Sequence, residues 1–370
     1  MARHIYLHIP FCAAKCPYCD FYSESGRDGL SMSKVIDGMV SEIDSITTDD
    51  VIETVYIGGG TPSVIDAELI AKLIDSARNR FTLSSDCEIT MEVNPSSMTL
   101  AKARTYRKAG INRVSVGVQS LNDDVLKTLG RLHDRAGAIE CLRMVRDEIT
   151  PNISADLMIA IPGQTMEDIS NAIDILASEG VKHISTYSLT LEEGTVFYSR
   201  YKDTIEDLVS PETEREMYHM TRKLLSSRGY IPYEISNSAI PGYESRHNSS
   251  YWEGEEYYGI GPGSHGYVDG VRYCHENSID GYITDPLYTT VEEVLSEEDR
   301  MKEYPFLKLR TAEGMDKGEF YRRFGKDICA VFKDALSKNI VNGLVEDTGD
   351  HIRLTDRGLD WYNRIAEDFL

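Results

Sequence analysis

The strongest constraint on the fold is an alternation through the first 200 residues. Short β-branched runs are each followed by an amphipathic stretch at helical spacing. Strands are expected at residues 4–9, 54–57, 88–93, 113–118, 153–159 and 183–189. Between them, residues 33–46 place Val35, Ile36, Met39, Val40, Ile43 and Ile46 on one helical face. Residues 67–80 do the same with Leu69, Ile70, Leu73, Ile74 and Ala77, and residues 100–109, 135–145 and 166–177 continue the pattern. Strand–helix units of roughly 25–50 residues predict a parallel sheet buried under helices. Six units are too few for a closed eight-fold barrel. A partial barrel and a doubly wound sheet both fit, and in both, ligands bind at the C-terminal ends of the strands.

The unusual residues fall at those ends. Cys12, Cys16 and Cys19 follow the first strand, Gly58-Gly59-Gly60-Thr61-Pro62 follows the second and Glu92 ends the third. Gln119 follows the fourth strand, and Asp156 lies in the fifth just before its apolar tail. Past residue 200 the pattern changes. Residues 206–227 read as a helix, and 232–273 are rich in Tyr, Gly, Ser and His. The last stretch resembles a small winged-helix unit, with helices at 296–309, 317–324 and 328–339, a β-wing at 343–346 and 352–355, and a final helix at 356–370. The expected division is 1–200, 201–295 and 296–370.

Composition narrows the function classes. Hydrophobic residues make up 41% of the 370 and charged residues 27%, as in a globular chain with a real core. The net charge of −22 and the absence of a local basic patch argue against nucleic-acid binding, so the acidic winged-helix unit points to a structural or docking role. No apolar run is long enough to span a bilayer; peripheral membrane contact is left open. The chain enters the first strand at once, without a signal-peptide pattern, so cytoplasmic residence is expected. Seven cysteines, three of them crowded, do not look like a secreted disulfide framework. Cys87, Cys141, Cys274 and Cys329 are dispersed and read as small buried apolar side chains.

Three thiolates within eight residues converge on one inorganic centre only if the loop wraps around it. Soft thiolates select zinc, copper(I) or iron–sulfur. A structural zinc normally takes a fourth Cys or His, and nearby His8 lies in the strand. Three cysteines suit a [4Fe–4S] cluster that keeps one iron free. The glycine run has no following Lys-Ser/Thr, so it is not a P-loop. Its glycines let a backbone approach a ligand closely.

The C-x3-C-x2-C spacing, with Tyr18 before the last cysteine, resembles the signature of the radical S-adenosylmethionine (SAM) superfamily. The preceding Tyr6-Leu7-His8-Ile9-Pro10-Phe11 and the following Asp20-Phe21 resemble its branch of coproporphyrinogen dehydrogenases and HemW haem chaperones. The resemblance covers nearly the whole chain. It implies an α/β fold, a partial (β/α)6 TIM-like barrel with a C-terminal winged-helix-like domain. It also implies a [4Fe–4S] cluster on Cys12, Cys16 and Cys19, and a SAM chelated to the open iron and cleaved to a 5′-deoxyadenosyl radical. Family matching places Gly59, Gly60, Thr61, Glu92, Gln119, Arg131 and Asp156 around SAM. Tyr6 and Tyr18 match aromatic positions near the cluster and adenine, and Thr190 is a weaker match. An acidic partner suits a ligand that carries an ammonium and a sulfonium.

His247-Asn248-Ser249-Ser250-Tyr251-Trp252 resembles the haem-binding motif of the HemW branch, which implies His247 as axial ligand with Tyr251 beside it; the alternative is a structural, hydrogen-bonded histidine. His265, in a family-like glycine turn, is expected to face the pocket. Two functions compete, with radical SAM chemistry on another substrate a distant third: a haem chaperone that passes haem as cargo to an acceptor haemoprotein, and an oxygen-independent coproporphyrinogen III dehydrogenase that decarboxylates two propionates. Either implies a reducing partner such as a flavodoxin or ferredoxin. The dehydrogenases carry a fourth cysteine where Phe21 stands here. They also carry an N-terminal extension of several dozen residues, whereas the first strand here begins within five residues of Met1. These features and His247 favour the chaperone, so the chain need not be an enzyme.

Overall fold

The computed structural model describes residues 2–369. Six parallel strands lie side by side in chain order: β1 (His4–Ile9), β2 (Val51–Gly59), β3 (Thr82–Val93), β4 (Arg113–Gln119), β5 (Ile153–Ile159) and β6 (His183–Ser188). The crossovers carry α1 (Gly29–Ser45), α2 (Ala67–Arg80), α3 (Leu100–Ala109), α4 (Arg135–Glu148) and α5 (Met166–Ser178). The open order makes this a partial barrel, as expected.

Period-two patterning sets its two faces. Ile5, Leu7 and Ile9 of β1, Val55 and Ile57 of β2, and Val114, Val116 and Val118 of β4 are almost fully buried against the helices. Each such side chain contributes roughly 1.5–3 kcal/mol of burial. The intervening residues face the lumen and are largely polar: His4, Tyr6 and His8; Thr54 and Tyr56; Glu88, Thr90 and Glu92; Arg113 and Ser115; Ser154 and Asp156; His183 and Ser185. A structural barrel core would be filled with branched apolar side chains. This one is lined for a ligand.

The sheet continues past residue 200. Beyond β6 come the short antiparallel β7 (Ile231–Pro232) and β8 (Asn237–Ala239). On the other side β9 (Tyr257–Ile260) runs parallel to β1, followed by antiparallel β10 (His265–Val268), β11 (Val271–Cys274) and β12 (Thr290–Val294). Twelve strands thus form one sheet in the order β12-β11-β10-β9-β1-β2-β3-β4-β5-β6-β8-β7. A second hydrophobic core holds Tyr304, Leu309, Phe320, Phe332, Ile352 and Ile365 in the C-terminal unit. There β13 (Met315–Asp316), β14 (Val345–Asp347) and β15 (His351–Leu354) pair in the order β13-β15-β14.

Several expected helices differ in detail. The 206–227 helix is interrupted by Pro211, whose ring and missing N–H restart it as α6 (Pro211–Ser227) with Ser210 as cap. The 328–339 helix breaks at Phe332, where the backbone turns the ring into contact with Phe320 and Phe369. The final helix is two pieces, Asp356–Leu359 and Tyr362–Glu367. The break carries Tyr362 into the core, its hydroxyl donating to the Phe306 carbonyl at 2.7 Å. Leu370, the end of that expected helix, lies outside the described residues. Helix α1 starts earlier than its apolar periodicity suggests, because Asp28 accepts from the Ser31 N–H and caps it.

Candidate functional site

At the C-terminal ends of β1–β6 a cavity of about 580 Å³ opens into the polar lumen. Cys12, Cys16, Tyr18, Cys19, Gly59, Gly60, Thr61, Glu92, Gln119, Arg131, Asp156 and Thr190 all line it. Twelve residues singled out from sequence thus meet on one surface. Phe21 stands at the same cavity, 70% exposed.

The cysteine loop is held against the glycine turn. A short parallel bridge joins Phe11–Cys12 to Glu24–Ser25, and the Thr61 N–H donates to the Phe11 carbonyl at 2.7 Å. Cys12 Sγ lies 3.4 Å from Thr61 Oγ1, and Arg131 donates from Nη1 to Cys16 Sγ at 3.5 Å and from Nη2 to the Gly117 carbonyl at 2.8 Å. Burial pushes the Cys19 thiol up, and the neighbouring Cys16 and Cys12 add to this. Three half-buried thiolates resist sharing a loop unless a cation binds them. A Cβ at Gly60 would sit 2.7 Å from the Phe11 carbonyl and 3.1 Å from Cys12 Sγ, and Gly59 takes a φ of +110°. Only glycine leaves that backbone free against the cysteine loop.

Two acids lie deeper. Glu92 accepts from the Tyr56 hydroxyl at 2.8 Å, and Asp156 accepts from Ser115 Oγ at 3.1 Å. Neither has a salt bridge among the described residues. Burial pushes Glu92 up to about 7 and Asp156 above its ordinary value, and repulsion from Asp156 adds to the Glu92 shift. Such unpaired buried carboxylates suit a cationic ligand. Gln119 sits at φ +65°, a strained conformation for a non-glycine residue that carries its amide oxygen to 2.9 Å from the Tyr187 hydroxyl. The soft three-thiolate set, the glycine cradle and the unpaired acids fit a three-cysteine iron–sulfur cluster with a cationic SAM beside it.

The remaining candidates lie elsewhere. Tyr6 does not line this cavity. It packs beside the stacked pair Tyr56 and His247, and its hydroxyl lies 3.1 Å from His8 Nδ1. His247 sits on α7 (Arg246–Trp252), a short helix that plugs the N-terminal end of the lumen. Glu88 accepts from the Arg246 and His247 N–H groups, both at 3.2 Å. The His247 ring is 1% exposed, with Nδ1 at 2.6 Å from Thr54 Oγ1 and Nε2 at 2.8 Å from the Tyr251 hydroxyl. The expectation of an accessible axial histidine therefore differs from what the fold presents: both ring nitrogens are engaged, and burial holds the ring neutral. Its neighbours face outward. Asn248 lines the cysteine cavity, and Tyr251 lines a second groove of about 650 Å³ toward the C-terminal unit, with Trp252, Tyr257, Tyr267 and Tyr304. His265 faces neither of these spaces. It is exposed on β10, with Nδ1 at 2.9 Å from Glu292.

Sequence reasoning missed Tyr56, Arg113, Ser115, Ser154, Ser185 and Tyr187, which also line the cavity. The signal was present as polar residues at every second position of strands otherwise rich in Val and Ile.

Residues 6–176 match the Radical SAM superfamily, and residues 295–361 match the HemN C-terminal domain. The chain is 34% identical to the haem chaperone HemW of Lactococcus lactis, over 99% of this chain and 96% of that protein. It is 34% identical to HemW of Bacillus subtilis, over 100% and 99%, and 31% identical to HemW of Escherichia coli, over 99% and 97%. Among solved structures it resembles coproporphyrinogen III oxidase (HemN) from Escherichia coli, a radical SAM enzyme. That match has a TM-score of 0.86 at 20% identity, over 99% of this chain and 89% of that one.

Proposed function

The chain belongs to the HemW family of the radical SAM superfamily, and on that premise we propose that it binds haem and delivers it to an acceptor haemoprotein. In this reading Cys12, Cys16 and Cys19 hold a [4Fe–4S] cluster. Gly59, Gly60 and Thr61 receive the methionine part of SAM, while Glu92, Gln119, Arg131 and Asp156 meet its polar groups and Tyr18 and Thr190 flank it. Cluster and SAM, when bound, supply one-electron reductive cleavage chemistry, fed by a flavodoxin- or ferredoxin-like donor. The protein's part is to hold the thiolates close, match the charge of the ligand and keep water from the lumen. Among the described residues no helix is long and apolar enough to cross a membrane, and a cytoplasmic site of action is part of the same reading.

The observation that carries the proposal is the position of α7. Its Asn248 faces the cysteine cavity and its Tyr251 faces the aromatic groove, so one short helix is the wall between the two. The groove is lined by Tyr251, Tyr257 and Phe324 beside the cation-capped rings of Trp252, Tyr267 and Tyr304, an apolar and aromatic wall for a macrocycle, with exposed Arg300 on its rim for a propionate. Tyr251, with His247 behind it as hydrogen-bond partner, is the member of the motif that meets the groove. Haem titration of the reconstituted protein tests this, with saturable binding as the expected result. Anaerobic incubation with coproporphyrinogen III, SAM and reductant should yield no protoporphyrinogen; its formation would establish the dehydrogenase reading instead.

A further inference from the structure

We propose that His265, Cys274 and Glu292 form a binding site for one divalent cation of the zinc class, separate from the cysteine cavity and the aromatic groove. His265 and Cys274 are directly opposed across β10 and β11, so their side chains rise from the same face of the sheet. On the next strand the pairing slips: Arg272 pairs with Glu293 and Tyr273 with Val291, leaving Glu292 opposite no residue. A bulge of this kind re-aims a side chain. Here it turns the Glu292 carboxylate toward the other two, with Oε2 2.9 Å from His265 Nδ1 and close enough to bond the Cys274 thiol. Ligand atoms of all three lie within 4.8 Å of one another.

The donor set is specific. An imidazole nitrogen, a thiolate and a carboxylate are the three ligand types zinc takes, at bonds of about 2.0–2.3 Å. A small inward movement of exposed side chains would close the triad around one ion. Thiolate and carboxylate together neutralise a dication, and three protein ligands leave a fourth position open. Cys274, expected from sequence to be a buried apolar side chain, is partly exposed. A cation would also tie β12 down, since every residue of that edge strand is exposed. The inference stands apart from the haem reading and uses none of the cluster cysteines.

The test uses the full chain with its cluster reconstituted, so that Cys12, Cys16 and Cys19 are occupied. Anaerobic titration with Co²⁺ should give a thiolate-to-cobalt charge-transfer band that saturates at a single equivalent and is displaced by Zn²⁺. Cys274→Ser should abolish the band while the cluster absorption stays unchanged. His265→Ala and Glu292→Gln should each weaken Zn²⁺ binding about tenfold or more, since even the outer partners of metal ligands cost 10–100-fold. Absence of the band in the wild type, its survival in Cys274→Ser, or unchanged affinity in either of the other variants would overturn the site.

Discussion

The Tyr56 hydroxyl donates to Glu92 Oε1 at 2.8 Å inside the lumen, yet Glu92 is held up to about 7. Burial outweighs that bond, and Arg113, the cation that opposes the shift, does not close the balance. The sign follows directly. A carboxylate whose folded pKa is raised binds its proton more tightly when folded, so its contribution to stability falls as pH rises from about 4.5 to about 7. Relative to the unfolded chain, that shift costs the folded, SAM-free protein about 1 kcal/mol at pH 5.5 and about 3 kcal/mol at pH 8. Glu92→Gln should therefore stabilise the SAM-free protein, with a gap that widens by about 2 kcal/mol across that interval. Denaturation at the two pH values measures it. The same variant should lose SAM affinity. In the wild type that affinity should weaken by up to about tenfold per pH unit below 7, because the proton must leave before the cation binds.

The cysteine loop and the glycine turn form one unit, and breaking either should remove the cluster. Cys16→Ala deletes a thiolate and should abolish the brown thiolate–iron chromophore of the reconstituted protein. Gly60→Ala keeps all three cysteines but places a methyl 2.7 Å from the Phe11 carbonyl. A backbone atom cannot swing aside as a side-chain tip can, so the loop must shift. Iron content after reconstitution should drop in both variants, with the overall fold retained by circular dichroism. Full cluster loading in Gly60→Ala would show that the loop does not need this close approach.

His247 and Tyr251 separate a structural role from a ligand role. His247→Ala leaves Thr54 and Tyr251 without their shared partner and opens a hole under the lumen, at a cost of about 3 kcal/mol. Tyr251→Phe leaves only His247 Nε2 unsatisfied, at about 1–3 kcal/mol. If Tyr251 is what haem meets, Tyr251→Phe should alter the haem absorption spectrum and weaken binding even though its fold is the less disturbed. Unchanged haem titration in Tyr251→Phe, with loss only in His247→Ala, would return the ligand role to His247.

The contrast between those residues shows what the sequence could carry. Cys12, Gly60, Glu92 and Asp156 stand directly after or near the end of strands. Knowing that the strands are parallel is then enough to gather them, because topology alone brings strand ends together. His247 is different. Its position depends on α7 folding back under the barrel floor to be capped by Glu88, a contact 159 residues away in sequence that no local pattern announces. The outer strands β9–β12 were equally hidden, since the parallel register of Tyr257–Ile260 against β1 joins segments about 250 residues apart. Tyr56 and Arg113 were hidden for another reason. Their alternation was visible, but polar residues in a strand point to the lumen only once the helices are known to cover the other face.

The C-terminal unit is fastened to the barrel through Arg310, and its loosening should depend on pH. Arg310 Nε lies 3.0 Å from Glu234 Oε2 without a well-aligned hydrogen bond, and its guanidinium stacks 4.4 Å from the Trp252 ring centroid. Glu234 is 1% exposed. Burial raises its pKa, while Arg310 opposes the shift. Arg310→Leu would fill much of the same space but leave Glu234 buried without its cation. Breaking a buried pair in this way costs about 3–5 kcal/mol near neutral pH. The loss should shrink as pH falls, because the stranded carboxylate then takes up a proton and no longer carries a buried charge. Denaturation of Arg310→Leu at pH 5 and pH 8 checks the sign. The companion Glu234→Gln/Arg310→Leu variant, which removes both charges, should recover most of the pH 8 loss. A loss of equal size at both pH values would mean that the Trp252 stacking, rather than the charge, holds the unit in place.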